Sequence, residues 1–207
     1  MSKVTVIDHP LVKHKLTHLR DRNTQHFVFR ELVNELSYLM VYEATRCLAT
    51  RKKDVETPLA RTSSDVLDES VIIVPVLRAG LGMLDGCQSL IPTARVGFAG
   101  IYRDEETLEP VEYYMRLPEV ADARILVLDP MLATGGSLSA AITRLKERGA
   151  HDISVICILA APEGIQKIES EHPDVDVFCA CIDEGLDENG YILPGIGDCG
   201  DRIFGTL

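Results

Sequence analysis

Asp129 and the run Thr134-Gly135-Gly136-Ser137 are the residues of this chain best placed to do chemistry together. Consecutive hydroxyls and glycines make a turn that a ligand can approach closely, and a helix starting there leaves its first backbone N–H groups without carbonyl partners. A phosphate fits such a cradle. Asp129, one loop away, can accept hydrogen bonds from a sugar diol or help hold a metal-bound phosphate. Phosphate plus ribose is the sharpest reading. The bland alternative is a strand, a turn and an N-capped helix with no ligand, because Ser, Thr and Gly are ordinary turn and capping residues.

The elements that must position these groups can be read on either side of them. Ile125, Leu126, Val127 and Leu128 form the unbroken apolar run of a parallel strand covered on both faces. After Ser137, the residues Leu138, Ala141, Ile142 and Leu145 recur at helical spacing until Gly149 closes the helix. A second strand, Val71–Val76, leads into Leu77-Arg78-Ala79-Gly80-Leu81-Gly82. Ligands of open α/β sheets bind at the carboxyl edge, where both turns fall. Arg78 there can neutralise a diphosphate in forked geometry; alone, the motif reads equally as a surface arginine beside a helix start.

Further strand-like runs at Arg95–Ile101, Ile153–Ala160 and Val175–Ile182 alternate with helical stretches near 80–90, 137–148 and 163–171. The alternation predicts an α/β fold, a mostly parallel twisted sheet flanked by helices, in one domain over 1–207. Residues 27–49 carry a helical apolar stripe from Phe27 to Leu48. Residues 103–118, with Arg103, five acids and two prolines, read as a flexible hairpin or lid. The last stretch, from Glu184, holds six glycines and reads as a shaped loop ending in a short strand.

A formal charge of −11 argues against broad nucleic-acid binding. Lys13, Lys15, Arg20 and Arg51–Lys53 read as solvated faces. A polyanionic substrate would need local cations or an accompanying magnesium ion. No apolar run approaches the roughly 18–20 residues of a membrane span, and the first residues lack a signal peptide's core, so a cytoplasmic location is expected. The six cysteines contain no Cys-x-x-Cys pair and read as reduced packing residues. His14 and His18, four apart on a helix, lack a third metal ligand and read as a surface pair.

The stretch from Asp129 to Ser137, Asp-Pro-Met-Leu-Ala-Thr-Gly-Gly-Ser, resembles the 5-phosphoribosyl 1-diphosphate (PRPP) signature of the type I phosphoribosyltransferase family. Pro130, where other branches carry a second acid, matches the uracil branch. Arg78-Ala79-Gly80-Leu81-Gly82 is similar to the pyrophosphate loop of that branch. The resemblance implies PRPP contacts at Arg78, Ala79, Gly80, Arg103, Asp129, Pro130, Met131, Leu132, Ala133, Thr134, Gly135, Gly136, Ser137 and Asp198, with unusual backbone geometry near Arg78. It implies a lid, opened by Arg103, that keeps water from the reacting sugar.

Gly195-Ile196-Gly197-Asp198-Cys199-Gly200 has dinucleotide-fingerprint spacing, yet Pro194 precedes it and only seven residues follow, so it cannot be a Rossmann turn. The segment Tyr191–Asp201 can instead offer backbone N–H and C=O groups to a small planar ligand. It resembles the uracil-recognition loop, with Tyr191, Ile192, Gly197, Asp198 and Cys199 around the base. Cys199 departs from the alanine commonly found there and reads as a packing residue.

The resemblance thus implies a transferase making UMP and diphosphate from uracil and PRPP, with Mg2+ carried by PRPP rather than by a protein site. Asp198, Asp129 and Arg103 are the catalytic candidates, in orienting and electrostatic roles. It also implies homo-oligomers, a dimer or tetramer, and in some members GTP as effector. The rival class is a regulatory protein that keeps the PRPP fold as a sensor and binds RNA or a transcription partner.

Overall fold

The computed structural model describes residues 3–103 and 110–206, without the side chains of Arg103 and Pro110. Its elements run β1 (Val4–Val6), α1 (Pro10–Arg20), α2 (His26–Ala44), β2 (Thr50–Glu56), β3 (Arg61–Leu67), β4 (Ser70–Leu77), α3 (Leu81–Leu90), β5 (Arg95–Val96) and β6 (Phe98–Arg103). There follow β7 (Pro110–Arg116), β8 (Ala123–Leu128), β9 (Met131–Leu132), α4 (Gly136–Glu147), β10 (Asp152–Ala160), α5 (Pro162–Glu171), β11 (Asp176–Ile182), β12 (Gly185–Leu186), β13 (Ile192–Leu193) and α6 (Cys199–Phe204).

The main sheet has the order β1-β11-β10-β8-β4-β6-β7, with β5 beside β4 and β9 beside β10. Its pairings are parallel except β6 with β7. The expected mostly parallel sheet flanked by helices is therefore present. Alternate residues along the central strands face opposite layers, as a period of two requires. Ile73, Leu126, Leu128 and Ile156 join Leu16, Phe29, Leu36, Met83, Ile196 and Ile203 from α1, α2, α3 and the tail. Ile72, Ile125, Val127 and Val155 join Leu138, Ile142, Leu145 and Ile168 from α4 and α5. The residues of both layers are almost all buried and apolar, and each fully buried Leu or Ile contributes about 1.5–3 kcal/mol. The carboxyl ends of β4 and β8 are thus held side by side, paired from Ser70 with Ala123 to Pro75 with Leu128.

Three sequence expectations need correction, and one element was missed. The helix expected over 27–49 ends at Ala44: Thr45 folds its hydroxyl back onto Val41 O at 2.7 Å, and Leu48 packs on the same core from the turn beyond. The strand expected over Arg95–Ile101 is two, β5 and β6, broken at Gly97, whose N–H bonds Ile73 O at 3.0 Å. The tail ends in helix α6 rather than a strand, capped by the Asp198 side chain at its start and by left-handed Gly205 at its end. Residues 50–67 form a hairpin that periodicity missed, because its strands are exposed on both faces apart from half-buried Val55 and Val66. Charge pairs such as Lys52 opposite Asp65 mark its register.

Within the region expected as a hairpin or lid, β7 runs antiparallel to β6; residues 104–109 lie outside the described residues.

Candidate active site

The two carboxyl-edge turns are locked together by their glycines. After β4 the Leu77–Arg78 peptide is cis, a local irregularity at the position where the resemblance implied one. Gly80 then donates its N–H to Val76 O at 2.9 Å and starts α3. A methyl at Gly80 would lie 2.4 Å from Leu128 O, so only glycine lets the first turn seat against the end of β8. The Arg78 side chain stays mostly exposed, and its guanidinium lies 3.1 Å from Asp201 Oδ1.

At the end of β8, Asp129 donates its N–H to Ile156 O, and its carboxylate accepts the Met131 N–H at 3.2 Å. Pro130 is buried, with its carbonyl receiving the N–H groups of Ile158 and Leu159 at 3.0 Å each. Leu132 is buried too, its carbonyl bonded to Ala161 N. The chain then swings round Gly135, at φ +76°, into α4. A methyl at Gly164, in the first turn of α5, would meet Ala133 O at 2.4 Å. Helix α5 therefore backs the turn tightly. On the open side, the nearest atom to a methyl built at Gly136 is Thr134 Oγ1, at 3.8 Å. The cradle has room for an anion over the first turn of α4.

Asp129 is half-buried at the cavity wall. Its burial among apolar atoms pushes the carboxyl up to about 7, against a smaller lowering by the Met131 N–H. A ligand bringing positive charge or hydroxyl donors would restore the carboxylate.

A cavity of about 220 Å³ joins the two turns to the tail, lined by Ala79, Asp129, Met131 and Ala133 on one side and by Gly190, Tyr191, Ile192 and Gly197–Gly200 on the other. Drug-sized ligands occupy roughly 300–1,000 Å³, so this one suits a single small ring. Other hollows, at Asp54–Glu56 with Arg61 and Thr62 and along β1, are larger, but neither touches the turns.

Within the tail, Asp198 Oδ1 accepts Asp201 N at 2.8 Å, which fixes the start of α6. Gly200 stands against the first turn, with Ala79 Cβ and Arg78 Nη2 each 3.9 Å from where its methyl would be. The Leu193–Pro194 peptide is cis, and Gly195 has φ +60°. Cys199 is 3% exposed, and burial holds its thiol well above the ordinary range, consistent with a packing role.

The structure thus gathers Ala79, Asp129, Met131, Ala133, Tyr191, Ile192, Gly197, Asp198 and Cys199 at one cavity. Thr134–Ser137 continue directly from its wall, and Arg78 and Gly80 stand behind Ala79. Pro130 and Leu132 serve the sheet. The Arg103 backbone closes β6, and its side chain lies outside the described residues.

Sequence reasoning missed Gly190 as a wall residue and misread Arg20. Instead of lying on a solvated face, Arg20 makes a forked pair with Asp183, at 2.5 and 2.8 Å. Burial alone would push the Asp183 carboxyl up, but Arg20 and the Gly195 N–H hold it below the usual carboxylate range. The sequence signal was weak: Arg20 ends α1 and its partner lies 163 positions away. His14 and His18 stack edge to face at 4.7 Å. Among the described residues no group of three or more His, Cys, Asp or Glu is spaced to hold a metal ion.

Comparison with known proteins matches residues 6–206 to the family described as uracil phosphoribosyltransferase. A protein of that name from Clostridium perfringens is 57% identical over the full length of both chains, and one from Brevibacillus brevis is 54% identical over the same extent. A solved structure of an Aquifex aeolicus protein is 40% identical, with TM-score 0.94 over 97% of each chain.

Proposed function

The chain belongs to the uracil phosphoribosyltransferase family, and from that premise we propose that the cavity joining the two turns to the tail is where its reaction occurs. The enzyme transfers the 5-phosphoribosyl group of PRPP to N1 of uracil, giving UMP and diphosphate in pyrimidine salvage. One observation carries the assignment to this cavity: residues of both phosphate turns and of the glycine-rich tail line the same small space.

In this reading the Thr134–Ser137 amides and hydroxyls hold the 5′-phosphate, while Arg78, Ala79, Gly80 and Arg103 take the diphosphate. Asp129 faces the ribose. Met131 and Ala133 form the floor between sugar and base. Tyr191 and Ile192 flank the uracil, and the backbone at Gly197–Cys199 meets its N–H and C=O groups. Main-chain partners suit this task, since a base lacking the matching groups would leave them buried and unpaired. Asp198 spends one oxygen on the start of α6 and turns the rest of its carboxylate to the N1 side.

Chemistry then needs no protein nucleophile. Holding N1 behind C1 of the ribose removes most of the entropic barrier, and fixed cationic and amide donors stabilise the departing diphosphate. Magnesium enters as part of the substrate, on PRPP: the turn offers one carboxylate, Asp129, followed by Pro130, too few oxygens for a resident ion. The proposal also includes a homo-oligomer, GTP as effector and a cytoplasmic location; sedimentation with and without GTP tests the first two.

Incubation with radiolabelled uracil, PRPP and magnesium is expected to yield labelled UMP. Binding of PRPP without UMP would favour the sensor reading. Arg78→Ala is expected to raise KM for PRPP about 10- to 30-fold and to leave the melting temperature nearly unchanged, because an exposed ion pair adds little stability. A normal KM for PRPP in this variant would remove Arg78 from the diphosphate site.

A further inference from the structure

We infer that Arg20 and Asp183 are positioning residues for the base: together they fix Gly195, and through it the Gly197–Cys199 backbone that lines the cavity. The inference rests on the proposed uracil pocket. Arg20 Nη1 donates to Gly195 O at 2.9 Å, and Asp183 Oδ2 accepts Gly195 N at 2.9 Å. One forked ion pair therefore holds both backbone polar groups of a single residue. That residue is tightly specified, since a methyl on Gly195 would fall 2.0 Å from Ile192 O. The next carbonyl, Ile196 O, accepts from Arg202 Nη1 at 2.9 Å. Arg202 also donates to Leu19 O and Asp21 O, at 3.0 and 2.7 Å, and lies over the Phe29 ring at 4.2 Å. Two guanidinium groups thus fasten consecutive peptides of the loop to the end of α1.

The chemistry of base selection explains why such a clamp matters. A loop with glycines at 195 and 197 has much conformational freedom to lose on ordering, and recognition through main-chain groups requires placement to about 0.5 Å. The Asp183 side chain is only 3% exposed, so its charge-assisted bonds work in a low dielectric. A purely stabilising role is a weak alternative, because buried ion pairs exchanged for apolar residues of similar size are often neutral for stability.

Two full-length variants separate these roles. Arg20→Lys keeps the charge but loses the fork and its reach to Gly195 O; the pair Arg20→Met with Asp183→Leu fills the same space without polar contacts. KM for uracil is expected to rise about threefold in the first and about tenfold in the second, with KM for PRPP within about twofold of the parent. Hydrogen–deuterium exchange of the 195–198 amides is expected to quicken about tenfold in both, and the melting temperature of Arg20→Lys to stay within about 3 °C. Should the apolar pair not fold, Arg20→Lys decides alone. Unchanged KM for uracil in a folded variant, or parallel rises in both KM values, overturns the inference. If the parent chain makes no UMP the functional reading fails instead, and exchange at 195–198 still reports on the clamp: quickening supports it and no change sinks it.

Discussion

Replacing Asp129 by asparagine is expected to cut kcat/KM by about a hundred- to a thousandfold while stabilising the ligand-free protein at pH 8. The two effects share one cause. Burial holds this carboxyl up to about 7, far above its value in an unfolded chain. A raised acid favours the folded state's neutral form, so the folded protein pays nothing below about pH 4 and loses stability progressively as pH rises towards 7. Asparagine removes that penalty and keeps an acceptor for Met131 N–H, at the expense of the charge that would face the ribose. The gain in melting temperature should therefore be several degrees at pH 8 and near zero at pH 4, on the scale of about 2–4 °C per kcal/mol. Thermal melts at both pH values and steady-state rates check it. An equal shift at both pH values, or unaltered kcat/KM, would take Asp129 out of this role.

Gly80→Ala is expected to destabilise the protein by about 3 kcal/mol or more, or to prevent folding outright. Its methyl would sit 2.4 Å from Leu128 O, 2.6 Å from Val76 O and 2.7 Å from Val76 N. All three are backbone atoms of paired central strands, which cannot withdraw without breaking the ladders that β4 makes with β8 and with β6. Gly136→Ala is the matched control, since the nearest atom there is 3.8 Å away, and its melting temperature should change by less than about 3 °C. Differential scanning calorimetry of both proteins decides the matter. A Gly80 variant melting like the control would mean that the two turns are not wedged against each other.

What could be read in the sequence follows from how local its physics is. The runs Ile125–Leu128 and Val71–Val76 are apolar on both faces and declare buried parallel strands. The glycines and hydroxyls at 134–137 declare a helix start, which is where α4 begins. Such signals need only a few neighbouring residues. Helix α6 was invisible because six residues with glycine among them have no period; it exists through the cap at Asp198, the left-handed Gly205 and the seating of Ile203 over Gly82. The hairpin β2–β3 was equally hidden, since Thr-Arg-Lys-Lys-Asp-Val-Glu buries no face and is held by cross-strand charges and the turn at Thr57, whose hydroxyl accepts from Leu59 N and Ala60 N. Arg20 was misread for a different reason: charge says nothing about a partner that arrives 163 positions later. For the site, the resemblance supplied the roles and order of motifs, whereas the meeting of turns and tail in one cavity required coordinates.

The bonds between Arg20 and Gly195, and between Arg202 and the Leu19 and Asp21 carbonyls, span 175 to 183 positions of sequence. On a ribosome the two turns, at 77–82 and 129–137, are made before the segment 190–200 that completes the cavity wall. The wall formed by 190–200 is therefore closed only when the last-made segment docks back onto the first, and a C-terminal truncation would strip core residues such as Ile203 together with that wall.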